Sequence, residues 1–205
     1  MLDSKGFDLW ADGYDKEVGL SDDEGSYPFA AYKEVLAYIY RTIMEQDNPV
    51  VLDIGFGTGV LTHKLYENGC TIYGQDFSPR MLELSAAKMP DAELYLGDFT
   101  KGLVEPLIAQ KYDFIVSSYA LHHLTDEQKV HFLNSLLENL NENGAILIGD
   151  VAFENCTQLL QCRKEAGPEW DEEEIYFVAD ELQEHFPKLQ FIRKSYCSGI
   201  ITIAR

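Results

Sequence analysis

Val50-Val51-Leu52-Asp53-Ile54-Gly55-Phe56-Gly57-Thr58-Gly59 runs from an apolar stretch through one acid into three alternating glycines. Residues 50–54 have the β-branched richness and brevity of a strand buried on both faces of a parallel sheet. Glycine at 55, 57 and 59 removes the Cβ atoms that hold a ligand away from the backbone. Val60, Leu61, Leu65 and Tyr66 then recur at helical spacing, so the turn opens onto a helix N-terminus with unpaired N–H groups. Strand, glycine turn and helix together hold a nucleotide-type ligand. The dinucleotide fingerprint is Gly-x-Gly-x-x-Gly with a pyrophosphate at the helix N-terminus. Here the third glycine comes one residue early, and Asp53 would oppose a diphosphate but attract an amino group. The spacing favours a cationic ligand.

Outward from this turn the chain alternates strand and helix. Thr71–Asp76 reads as a second strand ending in an acid, and Ser78-Pro79 reads as the cap and first position of a helix over 81–89. Residues 93–97 form a third strand before Asp98-Phe99, and a short helix is expected near 102–109. Tyr112–Ser118 reads as a fourth strand, followed by Tyr119-Ala120-Leu121-His122-His123-Leu124. Thr125-Asp126-Glu127-Gln128 has the pattern of a capped helix start, with Val130, Phe132, Leu133, Leu136, Leu137 and Leu140 as its apolar stripe. Asn143-Gly144 is expected to end that helix, residues 145–148 to form the fifth strand, and Asp150 to follow at the edge where open α/β sheets bind ligands. Residues 190–204 read as two strands about a Ser198-Gly199 turn, and a turn that short makes them an antiparallel hairpin.

Asp53-x-Gly55-x-Gly57-x-Gly59 resembles motif I of the class I S-adenosylmethionine-dependent methyltransferases, and the later motifs follow in family order over about residues 47–205. The resemblance implies an α/β, Rossmann-like, doubly wound seven-stranded sheet, mostly parallel, with one antiparallel strand from the C-terminal hairpin. It implies S-adenosylmethionine as cofactor, with S-adenosylhomocysteine as product. Cofactor contacts would fall on Tyr14, Asp53, Gly55, Gly57, Gly59, Asp76, Phe77, Asp98, Phe99 and Ser117. Asp76 would hold the ribose hydroxyls, since a carboxylate accepts from two vicinal hydroxyls; the alternative is a helix cap. Asp98 would accept from the adenine amino group and Phe99 would cover the ring; the alternatives are a capping aspartate and core packing. The turn at 119–124 resembles that of small-molecule methyltransferases and lacks the Asn/Asp-Pro-Pro-Tyr sequence of enzymes acting on adenine or glutamine amides. The Tyr27-Pro28-Phe29 segment, this turn and the insertion described below together resemble small uncharacterised methyltransferases of Gram-positive bacteria.

Composition agrees with one domain spanning residues 1–205, which are 46% hydrophobic and free of low-complexity tracts. Sixteen basic against 35 acidic residues give a net charge of −19, which repels nucleic acid. The clusters Ser21-Asp22-Asp23-Glu24 and Asp171-Glu172-Glu173-Glu174 read as solvated loops and helix starts. Signal-peptide and membrane-spanning patterns are lacking, and Cys70, Cys156, Cys162 and Cys197 show no metal or redox spacing, so a cytoplasmic protein with reduced thiols is expected. No pattern sets an oligomeric state.

Two segments lie outside the common core. Residues 1–46 read as an aromatic N-terminal helical cap, with a helix over 32–44, able to order over a bound cofactor. Residues 153–186 read as an insertion in two helical pieces broken at Gly167-Pro168-Glu169-Trp170. Arg163, Lys164, Tyr176 and Phe177 either line a substrate pocket there or belong to a simple helix pair. Methyl transfer from a sulfonium needs alignment and desolvation rather than an enzymic nucleophile, and a base only where the acceptor loses a proton. His122 and His123 are the candidates for that base. A metal is not expected, because neighbouring histidines on one turn are read as diverging. Three functions stay open: methyl transfer to a small-molecule acceptor, nicotinamide-dependent oxidoreduction, and cofactor binding without catalysis.

Overall fold

The computed structural model describes residues 25–205. Its sheet carries β1 (Val50–Ile54), β2 (Thr71–Asp76), β3 (Glu93–Leu96), β4 (Tyr112–Ser118), β5 (Leu140–Phe153), β6 (Phe177–Val178), β7 (Gln190–Arg193) and β8 (Ser198–Ala204). Seven strands run in the order β3-β2-β1-β4-β5-β8-β7, while the two-residue β6 pairs in parallel with the far end of β5. Strands β1 to β5 are mutually parallel; β8 is antiparallel to both β5 and β7.

Side chains along the central strands point alternately to the two faces, and both faces are buried. Leu52 and Ile54 of β1 pack with Ile115, Ile146 and Ile148 against Phe132, Leu133 and Leu136 of a helix at Asp126–Glu138. Val51, Val116, Leu147 and Val151 face the other way, toward helices at Tyr32–Ile43 and Val60–Glu67. In chain order the helices are α1 (Tyr32–Ile43), α2 (Val60–Glu67), α3 (Pro79–Lys88), α4 (Glu105–Ile108), α5 (Asp126–Glu138), α6 (Cys156–Ala166) and α7 (Ala179–Gln183). The expected caps are present: Ser78 accepts from the Met81 N–H with Pro79 in the first turn of α3, and Thr125 and Gln128 form a reciprocal capping box on α5. No helix among the described residues is long and apolar enough to cross a membrane.

Three local expectations are corrected. Helix α5 ends at Glu138, and Asn143-Gly144 lies within β5, which starts at Leu140. Asn143 adopts φ 65, and the pairing of β4 with β5 shifts register between Tyr112 and Phe114. A strand interrupted by such a kink reads locally as a turn. Asp150 is accordingly inside β5, three residues before its end. Ser198 and Gly199 also belong to a strand; the hairpin turn is residues 194–197, closed by the Lys194 N–H to the Ser198 carbonyl at 2.9 Å. Gly199 is glycine because a Cβ there would sit 2.3 Å from the Phe191 ring across the hairpin. Within the insertion, α6 is followed by a 3-10 turn at Gly167–Glu169, then by β6 and α7.

Tyr14 and the other N-terminal aromatics before residue 25 lie outside the described residues. The described part of that segment is a packed layer: Val35, Ile39 and Ile43 of α1 are fully buried. A Cβ at Gly149 of β5 would meet Val35 Cγ1 at 2.3 Å, so the helix rests directly on the sheet.

Candidate functional site

Strand order reverses between β1 and β4, and a cleft opens at the C-terminal ends of the strands beside that switch point. Loops after β1, β2, β3 and β4 all reach it, contributing Gly55 to Thr58, Asp76 and Phe77, Phe99, and Ser118 to Ala120 with His123; Tyr32 of α1 adds to the wall.

On the β1–β2 side the geometry is set by the glycine turn. Gly55 has φ 71, and a Cβ there would fall 2.6 Å from Ala120 Cβ, so this position brings the turn against the loop after β4. Gly57 has φ 55 and its Cβ position meets open space, leaving its backbone bare to the cleft. The Gly57 N–H donates to Asp76 Oδ2 and the Ser78 N–H donates to Oδ1, each at 2.9 Å. Asp76 thus fastens the glycine turn to the start of α3. From α3, Ser85 Oγ donates to the Gly57 carbonyl at 2.9 Å and Lys88 Nζ to that of Thr58 at 2.8 Å.

Other residues expected from sequence are distributed around this turn. Gly59 starts α2 at φ 77, and Phe77 lies on the cleft wall. Asp53 is buried beneath the turn and accepts from Thr62 Oγ1; its Oδ1 has no partner among the described residues. Burial, opposed by the Thr62 hydroxyl and aided by the Asp76 charge, raises its carboxyl to about 7. Asp98 caps the 3-10 turn Phe99–Lys101, accepting from the Thr100 N–H at 3.0 Å and hydroxyl at 2.6 Å, with Lys101 Nζ at 2.9 Å. Phe99 packs as the core-packing alternative expects, stacking on Phe132 at 6.3 Å between centroids, and it also lines the cleft. Ser117 Oγ donates to the Ile54 carbonyl at 2.9 Å, tying β4 to β1, and Ser118 takes the cleft position beside it.

The β4–β5 side is built differently. Tyr119 takes φ 51, unusual for a bulky residue, and is held by its N–H to the Gly149 carbonyl at 2.8 Å. Its ring packs between Phe29 and Tyr32, each 5.2 Å away. The 3-10 turn that follows separates the two histidines. His122 is buried, its Nδ1 2.7 Å from Asp150 Oδ1 and its Nε2 3.3 Å from Glu174 Oε1. Burial alone would depress its titration, but the Asp150 and Glu174 carboxylates overcome that and raise it to about 10. His123 lines the cleft, and burial together with the His122 charge lowers it to about 4. Burial opposes ionisation of Glu174, yet its bond and charge contact with His122 bring it down to about 2.

Glu174 was the signal hardest to find, since it sits in an acidic run that reads as solvated. In the fold that run is bent inward: the Ile175 N–H donates to the His122 carbonyl at 2.8 Å, and Tyr176 Oη donates to Glu174 Oε2 at 2.7 Å. Tyr176 also bonds Tyr27, whose ring stacks on Trp170 at 5.4 Å. Segments 27–32 and 170–176 are thereby joined behind His122. Arg163, by contrast, pairs with Glu172 on the surface, and Phe177 lies under the buried Lys129 ammonium, 4.7 Å from its ring centroid. The expectation that the two histidines diverge is also corrected: their ring centroids are 4.4 Å apart, and one ligand atom each of His122, His123 and Glu174 lie within 4.8 Å of one another.

A family model described as a methyltransferase domain matches residues 51–144. An uncharacterized methyltransferase of Geobacillus sp. (strain WCH70) is 35% identical over 96% of this chain and 88% of its own length. Another, from Bacillus subtilis (strain 168), is 34% identical over 93% and 85%. Among solved structures, magnesium protoporphyrin IX methyltransferase from Synechocystis PCC 6803, with bound S-adenosylhomocysteine, aligns with a TM-score of 0.67 at 17% identity, covering 85% of this chain and 84% of that one. At that identity the likeness is one of fold.

Proposed function

The chain belongs to the S-adenosylmethionine-dependent methyltransferases, and from that premise we propose that it methylates a small-molecule acceptor held at the His123 end of the cleft. The observation carrying this reading is the division of one cleft into two chemically distinct ends. One end has the bare backbone of Gly57 beside the Asp76 carboxylate; the other has an aromatic and histidine wall.

The residues present fit the cofactor. Gly55, Gly57 and Gly59 let the backbone approach it, and Asp76, on the cleft wall, offers a carboxylate to its ribose hydroxyls. Phe77 and Phe99 offer apolar faces to the adenine. Asp98 is placed to meet the ring edge only as the cap of the Phe99 turn. Asp53 and Ser117 act from beneath, holding the turn and the β1–β4 junction. Tyr14 keeps its proposed contact from the segment outside the described residues. When bound, the cofactor supplies a methyl carbon activated by a positive sulfur.

The chain's own contribution is alignment and exclusion of water, for which fixed geometry gives effective molarities on the order of 10⁵–10⁸ M in well-oriented intramolecular reactions. Tyr32 and Tyr119 supply the aromatic wall, and aromatic faces attract a sulfonium. His123 contacts the acceptor and takes up its proton where one must leave; His122, clamped by two carboxylates, holds that turn in place. The acidic surface supports a small acceptor over nucleic acid. Calorimetry with S-adenosylhomocysteine should show binding, whereas NADH should not bind. With methyl-labelled S-adenosylmethionine and a cell extract, label should enter the small-molecule filtrate; label confined to RNA or protein would overturn the small-molecule reading.

A further inference from the structure

We propose that His122, His123 and Glu174 form a site for one divalent transition-metal ion at the acceptor end of the cleft. Two imidazoles and one carboxylate are a donor set shared by catalytic zinc and non-haem iron sites, which leave positions open for water or substrate. The ligand atoms converge within 4.8 Å, although Glu174 lies 51 positions along the chain from His123. The 3.3 Å between His122 Nε2 and Glu174 Oε1 is near the ligand-to-ligand edge, about 3.3 Å, of a tetrahedron with metal bonds near 2.0–2.1 Å, and the wider separations in the set, up to 4.8 Å, must shorten for one ion to touch all three.

Two of the three ligands are also oriented from behind. His122 Nδ1 faces Asp150 at 2.7 Å, and Glu174 Oε2 accepts from Tyr176 at 2.7 Å, leaving Nε2 and Oε1 to face one another. Carboxylate–histidine–metal and hydroxyl–carboxylate–metal relays of this kind fix ligand direction. Asp150 Oδ2 is buried without a partner among the described residues, so two carboxylates face one imidazole. That surplus of negative charge is offset by a dication. Because His123 lines the cleft, an ion on this set lies where the proposed acceptor binds; with the ion bound, His123 is a ligand in place of its role as proton acceptor, and the ion would ligate an acceptor hydroxyl, thiol or carboxylate. This last step rests on the proposed function; the ion site itself does not.

The test uses the full chain, stripped of metal by chelator dialysis and free of any histidine tag. Calorimetry with Zn²⁺ and visible absorption with Co²⁺ should show one ion per chain. Glu174→Gln and His123→Ala should each weaken binding at least about tenfold, and Tyr176→Phe, which removes the orienting bond to Glu174 together with the Tyr27 contact, should weaken it by about 10–100-fold. His185→Ala, at an exposed histidine just beyond the C-terminal cap of α7, should leave binding as in the parent. Absence of Zn²⁺ binding, or equal binding by the parent, Glu174→Gln and His123→Ala proteins, would overturn the site. S-adenosylhomocysteine binding to the same metal-free protein decides the methyltransferase reading separately.

Discussion

The two ends of the cleft differ in how far the chain must travel to build them. At the proposed cofactor end, Gly55 to Gly59, Asp76 and Phe77 lie within 23 residues, and backbone N–H groups do much of the work. At the proposed acceptor end, Tyr27, Tyr119 with His122, Asp150 and Glu174 come from four separated segments and meet through side chains. A backbone cradle tolerates change in most of its side chains but no added Cβ. A buried ionic cluster is the reverse, depending on each partner being present.

The most severe break expected is at Asp150. Asp150→Ala leaves a buried His122 with one of its two counter-charges removed, and breaking such a pair lowers stability by about 3–5 kcal/mol. Urea unfolding followed by circular dichroism measures it; a loss under about 1 kcal/mol would mean that the acceptor end is no more demanding than the surface.

Asp53 sharpens the comparison from beneath the cradle. Its folded-state carboxyl is raised to about 7 against an ordinary 3.8, so the folded protein binds more protons between those values. Its contribution is therefore fully present below about pH 4 and is lost as pH rises toward 7. Parent minus Asp53→Asn stability should fall by roughly 2–4 kcal/mol from pH 4 to pH 8. A difference independent of pH would show that Asp53 ionises freely in the fold.

Asp76 links binding and folding. Asp76→Ala should weaken S-adenosylhomocysteine binding by about 1–3 kcal/mol in calorimetry. Since Asp76 also accepts from the Gly57 and Ser78 N–H groups, the variant should lose stability as well. Unchanged affinity with lowered stability would make it a structural clasp alone. The smallest folding effect is expected at Gly57→Ala, where the left-handed backbone costs about 1–2 kcal/mol. Its new methyl group meets no protein atom, so cofactor affinity should fall about tenfold. Equal affinity would place the cofactor away from this turn.

The same contrast governs what was legible beforehand. The strand-turn-helix at 50–67, the capping box at Thr125 and the Ser78-Pro79 helix start are local patterns, and each took its expected form. The Asn143-Gly144 and Ser198-Gly199 pairs carry the same local signature as turns, yet both lie in strands. The first is accommodated by a kink paired to β4 and the second by close passage of the Phe191 ring. The acidic run at 171–174 reads as solvated because nothing within it indicates that its last member meets a histidine.

The sequence by itself determined the alternation of strand and helix, the cofactor turn and the acid that follows β2, because these depend on backbone conformation and hydrogen bonds within a few residues. Only the tertiary structure decided the acceptor end. Which carboxylate faces His122, and which histidine faces the cleft, depends on the insertion folding back and on β8 entering beside β5. Those are contacts between distant segments, set by burial of whole faces and by charge pairing away from water, and no local pattern encodes them.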